Sequence, residues 1–334
     1  CRPVARNSGP RAGRYAGHAL MEPRVETALA VWGLEGTKAQ LFARRENEIW
    51  RVRHASGDFA LRFHRPGYRT VEEMRSELQW MEYLASHGVS VPQPLPSRDG
   101  ALIEAIEGMQ VDVLEWLDGA PIGAVGQLAE GIDPVALCED LGRLMARLHD
   151  VTDAWTPPKG FARPDWRATG LLGEVPVWGR FWENPDLSAD DAAFFSAVRE
   201  LAAEDLQCRD RELDQGLIHA DMLVENVLHS QGKLSLIDFD DCAVGYRDFE
   251  LATFLVKFPP SEATDAMRRA LCRGYAARRE VDPDVLDLML VLRALTYVGW
   301  IVPRLNEPGG RARADRSIAT AKKLSRNYIE RRNA

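Results

Sequence analysis

The sequence predicts an α+β fold with two lobes, in which a small antiparallel β-sheet with one helix precedes a larger, mainly helical lobe. Between residues 48 and 117, short runs that alternate apolar and polar residues are separated by turn-forming dipeptides, as in β-hairpins. Beyond Gly119, apolar residues instead recur every three or four positions over long stretches, which indicates amphipathic helices. The change of period at Gly119 therefore separates the two lobes.

The first lobe is predicted to contain two hairpins around one helix, preceded by a short helical segment at residues 27–34. Residues 48–66 predict two strands joined by a tight turn, and residues 101–117 predict two more. Between the hairpins, apolar residues at helical spacing follow a candidate N-cap at Thr70 and end before Gly88. This helix would bury its apolar stripe against the sheet.

The second lobe is predicted to be built from helices and one long connection. Clear amphipathic patterns cover residues 134–151, 189–206, 261–279, 283–300 and 315–332. Between the first two, residues 155–188 are rich in Trp, Pro and Gly and have no clean period. A connection of this length without a helical pattern is typical of an ordered loop or lid over a functional site.

The start of the chain differs in composition from the rest. Residues 1–20 contain four Arg and no acidic residue, and they do not begin with Met. We expect them to be a non-native or disordered leader and Met21 to be the natural start. The remaining chain then divides into an N-terminal lobe at residues 21–113, a hinge at residues 114–119 and a C-terminal lobe at residues 120–334.

The overall charge is acidic, with a formal net charge of -8 and a pI of about 5.5. This balance disfavours binding to nucleic acid or to an anionic membrane, because both need concentrated Lys and Arg. Five widely spaced Cys include no CxxC pair, so the sequence predicts neither a zinc site nor a disulfide framework. We expect a cytoplasmic protein that acts on a small polar ligand.

A dense group of polar residues surrounds a predicted hairpin centred on Gly232. Asn226 and Asp238 are each six residues from Gly232, so a turn there would bring their side chains together at the open end of the hairpin. The preceding loop delivers His219 and Asp221 to the same place. One neutral and one ionised oxygen ligand suit Mg²⁺, which takes its other ligands from water and phosphate. The pattern predicts a magnesium site with Asp221 nearby.

The spacing His219-x-Asp221-x₄-Asn226, followed by Asp238 in LIDFDD, resembles the catalytic loop and metal-binding acid of the aminoglycoside phosphotransferase and choline kinase family. These enzymes are distant relatives of protein kinases, so the resemblance implies a protein-kinase-like fold. It also implies transfer of the ATP γ-phosphate to a hydroxyl of a small molecule. By this resemblance Asp221 is the catalytic base or hydroxyl-orienting group, His219 supports its loop, and Asn226 and Asp238 bind Mg²⁺.

The resemblance covers nearly all of residues 21–334 and extends to ATP binding. Arg62 in FALRFHRP lies where the family usually has the Lys that holds the nucleotide phosphates, and Glu77 is similar to the acid that pairs with it. LEWLDG resembles the hinge, whose backbone at Glu115 and Leu117 would contact adenine. Two features depart from the family. Arg62 has a planar guanidinium group where Lys would have a compact ammonium group. The expected nucleotide loop, LFARRENEIW, has no glycine that would let the backbone approach phosphate closely.

Several residues near the predicted site have less defined roles. Asp240 and Asp241 follow the second strand of the hairpin and are expected to form a turn, with a metal or substrate role as the alternative. Glu250 stands where the family usually has Asp, which we interpret as a structural change. An acceptor with a carboxylate would need a cation, such as Arg167 or Arg180 from the lid.

More than one function remains open. Within the family the chain looks most like bacterial homoserine-kinase-like and stress-response-kinase-like members, which makes homoserine or another amino alcohol or sugar the first expected acceptor. The stress-response branch implies the alternative of a Ser/Thr protein kinase. The absence of glycine near Glu46 and the presence of Arg62 motivate a nucleotide-binding pseudokinase. A metal-dependent phosphodiesterase using His219 would act without ATP.

Overall fold

The structure, a computed structural model, describes residues 22–44, 47–124 and 126–333. The expected leader and Met21 lie outside the described residues, and so does Glu46. The first element is α1 (Pro23–Val31), which begins four residues before the short helical segment that the sequence predicts. It has Pro at its first position, where the missing amide N–H costs no hydrogen bond.

A five-stranded antiparallel sheet follows α1, with the spatial order β1-β2-β3-β5-β4. Its strands are β1 (Lys38–Arg44), β2 (Glu48–His54), β3 (Gly57–Phe63), β4 (Glu104–Ile106) and β5 (Met109–Glu115). The two predicted hairpins are confirmed as β2–β3 and β4–β5. The sequence did not predict β1, an edge strand whose burial alternates only between exposed and half-buried positions.

The predicted helix of the sheet region is α2 (Val71–Ser86). The Thr70 hydroxyl oxygen accepts a hydrogen bond from the Glu73 amide at 3.1 Å, and the Glu73 carboxylate accepts one from the Thr70 amide at 2.8 Å. This capping box satisfies two backbone donors and fixes the start of the helix. The buried face of α2 also carries Glu77, which directs its carboxylate toward β3.

The helical region confirms all five predicted helices and adds two. Its helices are α3 (Pro134–Asp153), α4 (Ala168–Leu172), α5 (Ala189–Arg209), α6 (Asp248–Leu255), α7 (Glu262–Ala276), α8 (Pro283–Trp300) and α9 (Gly310–Arg332). α4 and the 3₁₀ turn Phe181–Glu183 interrupt the expected lid, whose Trp166 is buried in the core. No helix among the described residues is long and apolar enough to cross a membrane.

Short strands also lie before and between the helices of this region in the chain. They are β6 (Ala120–Pro121), β7 (Gly123–Ala124), β8 (Gln127–Leu128), β9 (Gln215–Ile218), β10 (Val227–Ser230), β11 (Lys233–Leu236) and β12 (Ala243–Tyr246). β10 and β11 form the predicted hairpin, but Val227 pairs with Leu236, so the turn is centred half a residue before Gly232. The Asn226 carbonyl accordingly accepts a hydrogen bond from the Ile237 amide at 3.0 Å. Ile237 thus lies opposite Asn226, where the sequence placed Asp238, and Asp238 follows one residue later.

The architecture confirms the predicted α+β fold, with a small antiparallel sheet before a mostly helical part. One core lies between α1 and the sheet, and a larger core joins α2 to the helical region. Trp80 of α2 illustrates the junction, because its indole N–H donates to Thr152 of α3 and its ring packs against Phe239. The cleft beside this junction is lined by three of the predicted site residues, Asp221, Asn226 and Asp238.

Candidate active site

The loop between β9 and β10 is fixed from inside the protein by His219. The fully buried imidazole contacts the Ile237 carbonyl through Nε2 at 3.0 Å, and Nδ1 accepts from the Asp221 amide at 3.3 Å. Burial lowers the pKa of His219 to about 4, so the ring is neutral near pH 7 and can use one nitrogen as donor and the other as acceptor. His219 thus holds the loop between two strands without facing the cleft.

Glu250 of α6 also holds this loop, through the loop backbone. Its two carboxylate oxygens accept the amide N–H groups of His219 and Ala220. Ala220 has a φ of 67°, a left-handed conformation that costs an L-residue about 1 kcal/mol or more and needs such support. The structural interpretation of Glu250 agrees with these contacts, but nothing in the sequence indicated their partner, because 31 residues separate Glu250 from His219. It shapes the backbone that presents Asp221.

We predict that Glu250 makes stability depend on pH. Burial raises the pKa of Glu250 to about 7 from its usual 4.5. Between these values the folded protein binds more protons at this site than the unfolded chain, so stability should fall as the pH rises from about 4.5 to about 7. In Glu250→Gln the amide cannot ionise, and the melting temperature should change less across this range. Equal slopes for both proteins would contradict this, and Glu26→Gln, at an exposed acid of α1, should keep the wild-type slope.

The Asp221 carboxylate is held at both oxygens. Asn226 Nδ2 donates to Oδ2 at 3.0 Å, and it also donates to the Asp221 carbonyl at 2.9 Å. Arg293 of α8 donates from Nη2 to Oδ1 at 3.1 Å. About 23 % of the side chain remains exposed, so lone pairs of both oxygens stay available to a ligand in the cleft. Because Nδ2 of Asn226 is engaged, its Oδ1 is the atom that can serve a cation.

Asp238 lies beside this pair and is open to the cleft. Its φ of 67° turns the chain just after β11, and Asp tolerates this conformation better than most residues. Desolvation within the cleft, followed by the charges of Asp221 and Asp240, raises the pKa of Asp238 to about 8. The site therefore gathers more negative charge than its own cations offset, which a bound cation would relieve.

These residues line a cavity of about 340 Å³ between the sheet and the helical region. Asn47 and Ile49 of the sheet region form one side. The acidic lining residues are Asp221, Glu225, Asp238, Asp240 and Asp241, and the aromatic and cationic lining residues are Trp178, Lys257, Arg293, Tyr297, Trp300 and Arg304. One small cavity thus combines clustered carboxylates with aromatic and cationic side chains.

Arg62 lies in a buried ion-pair network on β3. It is 5 % exposed, donates from Nε and Nη2 to the two oxygens of Asp112 at 2.8 Å each, and donates from Nη1 to Glu77 at 3.0 Å. The predicted Arg62–Glu77 contact is present, and it is buried rather than a surface ion pair. His64 adds a contact of 2.6 Å to Asp112. Burial acts to raise the pKa of Asp112, but the charges of Arg62 and His64 outweigh it and hold this pKa at about 2.

We predict that Asp112→Asn lowers the free energy of unfolding by about 3–5 kcal/mol, because it leaves the buried Arg62 guanidinium without its bidentate partner. Urea unfolding measures this difference. Asp58→Asn is the matched control, since Asp58 pairs with Arg51 at 2.6 Å where both side chains are about one-third exposed, and this pair should contribute less than about 1 kcal/mol. Similar losses in the two variants would contradict a special role for the buried pair.

The predicted hinge residues lie at and just beyond the end of β5. The Glu115 amide donates to the Gln93 carbonyl at 2.8 Å, so the Glu115 carbonyl is the backbone group that could meet a ligand there. The Trp116 ring packs edge-on against Phe42 with centroids 4.8 Å apart, although Phe42 is 64 % exposed. Leu117 follows as a half-buried residue. The hinge thus has an aromatic pair beside it that sequence reasoning did not single out.

Comparison with known proteins identifies the family. Residues 38–286 match the sequence profile of the phosphotransferase enzyme family, APH. The chain belongs to this family. A homoserine kinase of Sinorhizobium fredii is 29 % identical over 235 residues, which cover 67 % of this chain and 65 % of that protein. The predicted resemblance to small-molecule kinases is therefore confirmed.

Solved structures agree with the family assignment. A microcompartment-associated aminopropanol kinase has a TM-score of 0.74 and 25 % identity, covering 92 % of this chain and 97 % of that one. An amicoumacin kinase in complex with AMP-PNP, Ca²⁺ and Ami has a TM-score of 0.70 and 20 % identity, covering 91 % and 92 % of the two chains. The fold is protein-kinase-like, as predicted, and the chain is a phosphotransferase by family.

Within this phosphotransferase, the donor set fits a small hard cation. The described residues contain no group of three or more His, Cys, Asp or Glu arranged to hold a metal. Mg²⁺ does not need one, because it is usually bound through one or two protein oxygens and completes its shell with water and phosphate. Asn226 Oδ1 and the Asp238 carboxylate are such oxygens, and the raised pKa of Asp238 indicates charge that a cation would relieve.

Asp240 and Asp241 do more than form a turn. Asp241 accepts from Arg69 at 2.8 Å and from Tyr68 at 3.2 Å, which ties the segment after β11 to the chain between β3 and α2. The Asp240 carbonyl accepts from Arg163, while burial and the charge of Glu77 raise the pKa of the Asp240 carboxyl to about 6. Both residues line the cavity, and Asp241 connects the two parts of the phosphotransferase beside it.

The lid arginines do not enter the cavity. Arg167 forms an exposed pair with Asp165 at 2.8 Å. Arg180 pairs with Glu183 at 3.0 Å and lines a neighbouring groove. Neither arginine lines the cavity, whereas Lys257 does, so the expectation that either one meets an acceptor carboxylate there finds no support. The Lys257 ammonium lies 3.3 Å from the centroid of the Tyr297 ring in the cavity wall.

Proposed function

We propose that this phosphotransferase moves the γ-phosphate of ATP, with Mg²⁺, to a hydroxyl group of a small molecule. The observation that carries the proposal is the Asp221 carboxylate, which is held at both oxygens and faces a cavity it shares with Asp238. In this role Asp221 accepts or orients the proton of the acceptor hydroxyl, while His219 and Glu250 keep its loop in shape. Positioning of this kind supplies much of the rate in phosphoryl transfer.

ATP would bind between the sheet and the helical region. Arg62 has guanidinium N–H groups beyond the three that meet Asp112 and Glu77, and these could contact phosphate oxygens. The carbonyl of Glu115 and the amide of Leu117 would contact adenine. The amicoumacin kinase of similar fold, solved with AMP-PNP and Ca²⁺, supports nucleotide and divalent cation in this arrangement.

The metal would be held by Asn226 Oδ1 and the Asp238 carboxylate. Mg²⁺, when bound with ATP, supplies positive charge that offsets the charge on the phosphates. The protein's own contribution is to fix both oxygens at the end of the β10–β11 hairpin. Because Asn226 also binds Asp221, one side chain links the metal site to the group that acts on the acceptor.

The acceptor side of the cavity suits a compact molecule with charged groups. Trp178, Tyr297 and Trp300 provide apolar and π surfaces, and Glu225 could receive an ammonium group. A carboxylate would meet Lys257. We therefore place homoserine and amino alcohols such as aminopropanol first among the acceptors. The free thiols Cys138, Cys208, Cys242 and Cys272 and the use of ATP agree with a cytoplasmic enzyme.

A screen of ATP consumption with Mg²⁺ tests this proposal. It would compare homoserine, aminopropanol, choline, sugars, aminoglycosides and a generic protein substrate, with Asp221→Ala as the inactive control. We expect acceptor-dependent turnover with one of the small molecules. Turnover with the protein alone would favour the Ser/Thr kinase alternative. Binding of ATP without transfer to any acceptor would favour a pseudokinase, and hydrolysis of phosphodiesters without ATP would contradict the phosphotransferase site altogether.

A further inference from the structure

Arg293 of α8 is a buried cation in the lining of the cavity, and it contacts the loop between β9 and β10. It is 3 % exposed, and its Nη2 donates to Asp221 Oδ1 at 3.1 Å. The two residues are 72 positions apart in the chain, so the contact depends on the packing of α8 and not on the loop itself. Of the two donors that hold the Asp221 carboxylate, Arg293 is the one that carries a charge.

Arg293 occupies an environment that is costly for a cation. Its guanidinium lies 4.5 Å from the centroid of the Tyr297 ring, 5.5 Å from Phe249 and 5.6 Å from Trp166. Its Nε is buried and has no hydrogen-bond partner among the described residues. Cation–π contacts offset part of the desolvation, but a buried charge with one ion-pair bond contributes little net stability. Stability alone therefore does not account for this placement.

The geometry restricts the orientation of the Asp221 carboxylate. Asn226 binds Oδ2 from the loop and Arg293 binds Oδ1 from α8, so the carboxylate plane is held from two independent elements. The aromatic rings around Arg293 restrict the orientation of its guanidinium group. A carboxylate supported in this way keeps its remaining lone pairs directed at the cavity, which is what a positioned base requires.

We infer that Arg293 is a positioning residue for phosphate transfer, which acts by orienting Asp221 toward the acceptor hydroxyl. This inference rests on the proposed function, because it assigns Arg293 a task only in a transferase. Arg293 does not need to touch ATP or the acceptor for this. Its loss should therefore lower kcat and leave the KM for ATP unchanged.

A double-mutant cycle tests whether Arg293 acts through Asp221. With Mg-ATP and homoserine, or aminopropanol where homoserine is not turned over, Arg293→Ala should lower kcat by roughly 10²-fold. If the effect passes through Asp221, the double variant with Asp221→Ala should be no slower than Asp221→Ala alone. Additive losses would overturn the inference. A wild-type protein that transfers phosphate to no acceptor would instead contradict the proposed function and, with it, the role of Arg293.

Rescue by a small cation separates orientation from folding. Guanidinium chloride at low concentration should restore part of the kcat of Arg293→Ala, whereas potassium chloride at equal ionic strength should not. Mg-ATP should raise the melting temperature of Arg293→Ala as it does for the wild type, which shows an intact nucleotide site. Arg268→Ala is the matched control, since Arg268 bonds Asp287 at 2.6 Å away from the cavity and should keep the wild-type kcat. Loss of the Mg-ATP shift, or the same rescue by both salts, would overturn the inference.

Discussion

Replacing Asp221 with asparagine should lower the rate of phosphate transfer by about 10²–10⁴-fold, the usual contribution of a positioned base. Asparagine keeps the size of the side chain and can still meet Asn226, but it has no negative charge to attract the acceptor proton or to pair with Arg293. Steady-state ATP consumption with the best acceptor from the screen measures the loss.

Two measurements make this prediction specific to chemistry. Mg-ATP should still raise the melting temperature of Asp221→Asn, because neither predicted metal ligand is changed. Asp99→Asn, at an exposed loop residue, should have the wild-type rate. A variant that folds, binds Mg-ATP and transfers phosphate at the wild-type rate would show that Asp221 has no part in the reaction.

Replacing Asp238 with asparagine should remove most of the response to magnesium. The neutral amide is a weaker ligand for Mg²⁺, so the thermal shift produced by Mg-ATP should shrink. Turnover should fall by about 10²–10³-fold, which corresponds to the several kcal/mol that metal charge contributes to such transition states. EDTA should bring the wild-type protein to a similarly low rate.

Without metal, Asp238→Asn should be more stable than the wild type. Desolvation, followed by the charges of Asp221 and Asp240, raises the pKa of Asp238 to about 8. Near pH 7 the metal-free fold must therefore bind a proton that the unfolded chain does not, which destabilises it to an extent that solvent at the open side of the residue reduces. Asp238→Asn should therefore melt at a higher temperature than the wild type in EDTA and at a lower temperature in Mg-ATP. Equal shifts of both proteins with Mg-ATP would contradict the assignment of Asp238 as a metal ligand.

Local signals predicted much of the fold. The capping residue and apolar stripe of α2, and Pro283 at the start of α8, are readable within one turn of helix, and both helices were predicted. α6 was missed because all eight of its residues are buried, which removes the amphipathic period that identifies a surface helix. β1 was missed because it forms the polar edge of the sheet and runs into the segment expected to be the nucleotide loop.

The site shows the same division between local and long-range information. His219, Asp221, Asn226 and Asp238 lie on one loop and hairpin, so their spacing alone brought them together. Glu250 and Arg293 reach this loop only through the packing of α6 and α8, and Asp112 reaches Arg62 across 50 residues. A buried charge on a helix gives no signal in the sequence about which carboxylate it meets. Arg293 and Asp112 were found only in the folded structure, and so were the contacts of Glu250, which the sequence had singled out only as a structural change.

We propose that this chain places the γ-phosphate of ATP on a hydroxyl group of a small acceptor. Phosphorus NMR of a reaction with Mg-ATP and the acceptor selected by the screen tests it most directly. We predict that a phosphomonoester signal grows as the ATP signals are replaced by those of ADP, and that Asp221→Asn shows almost none of it. ATP that stays unchanged with every acceptor, or that yields only inorganic phosphate, would contradict the claim.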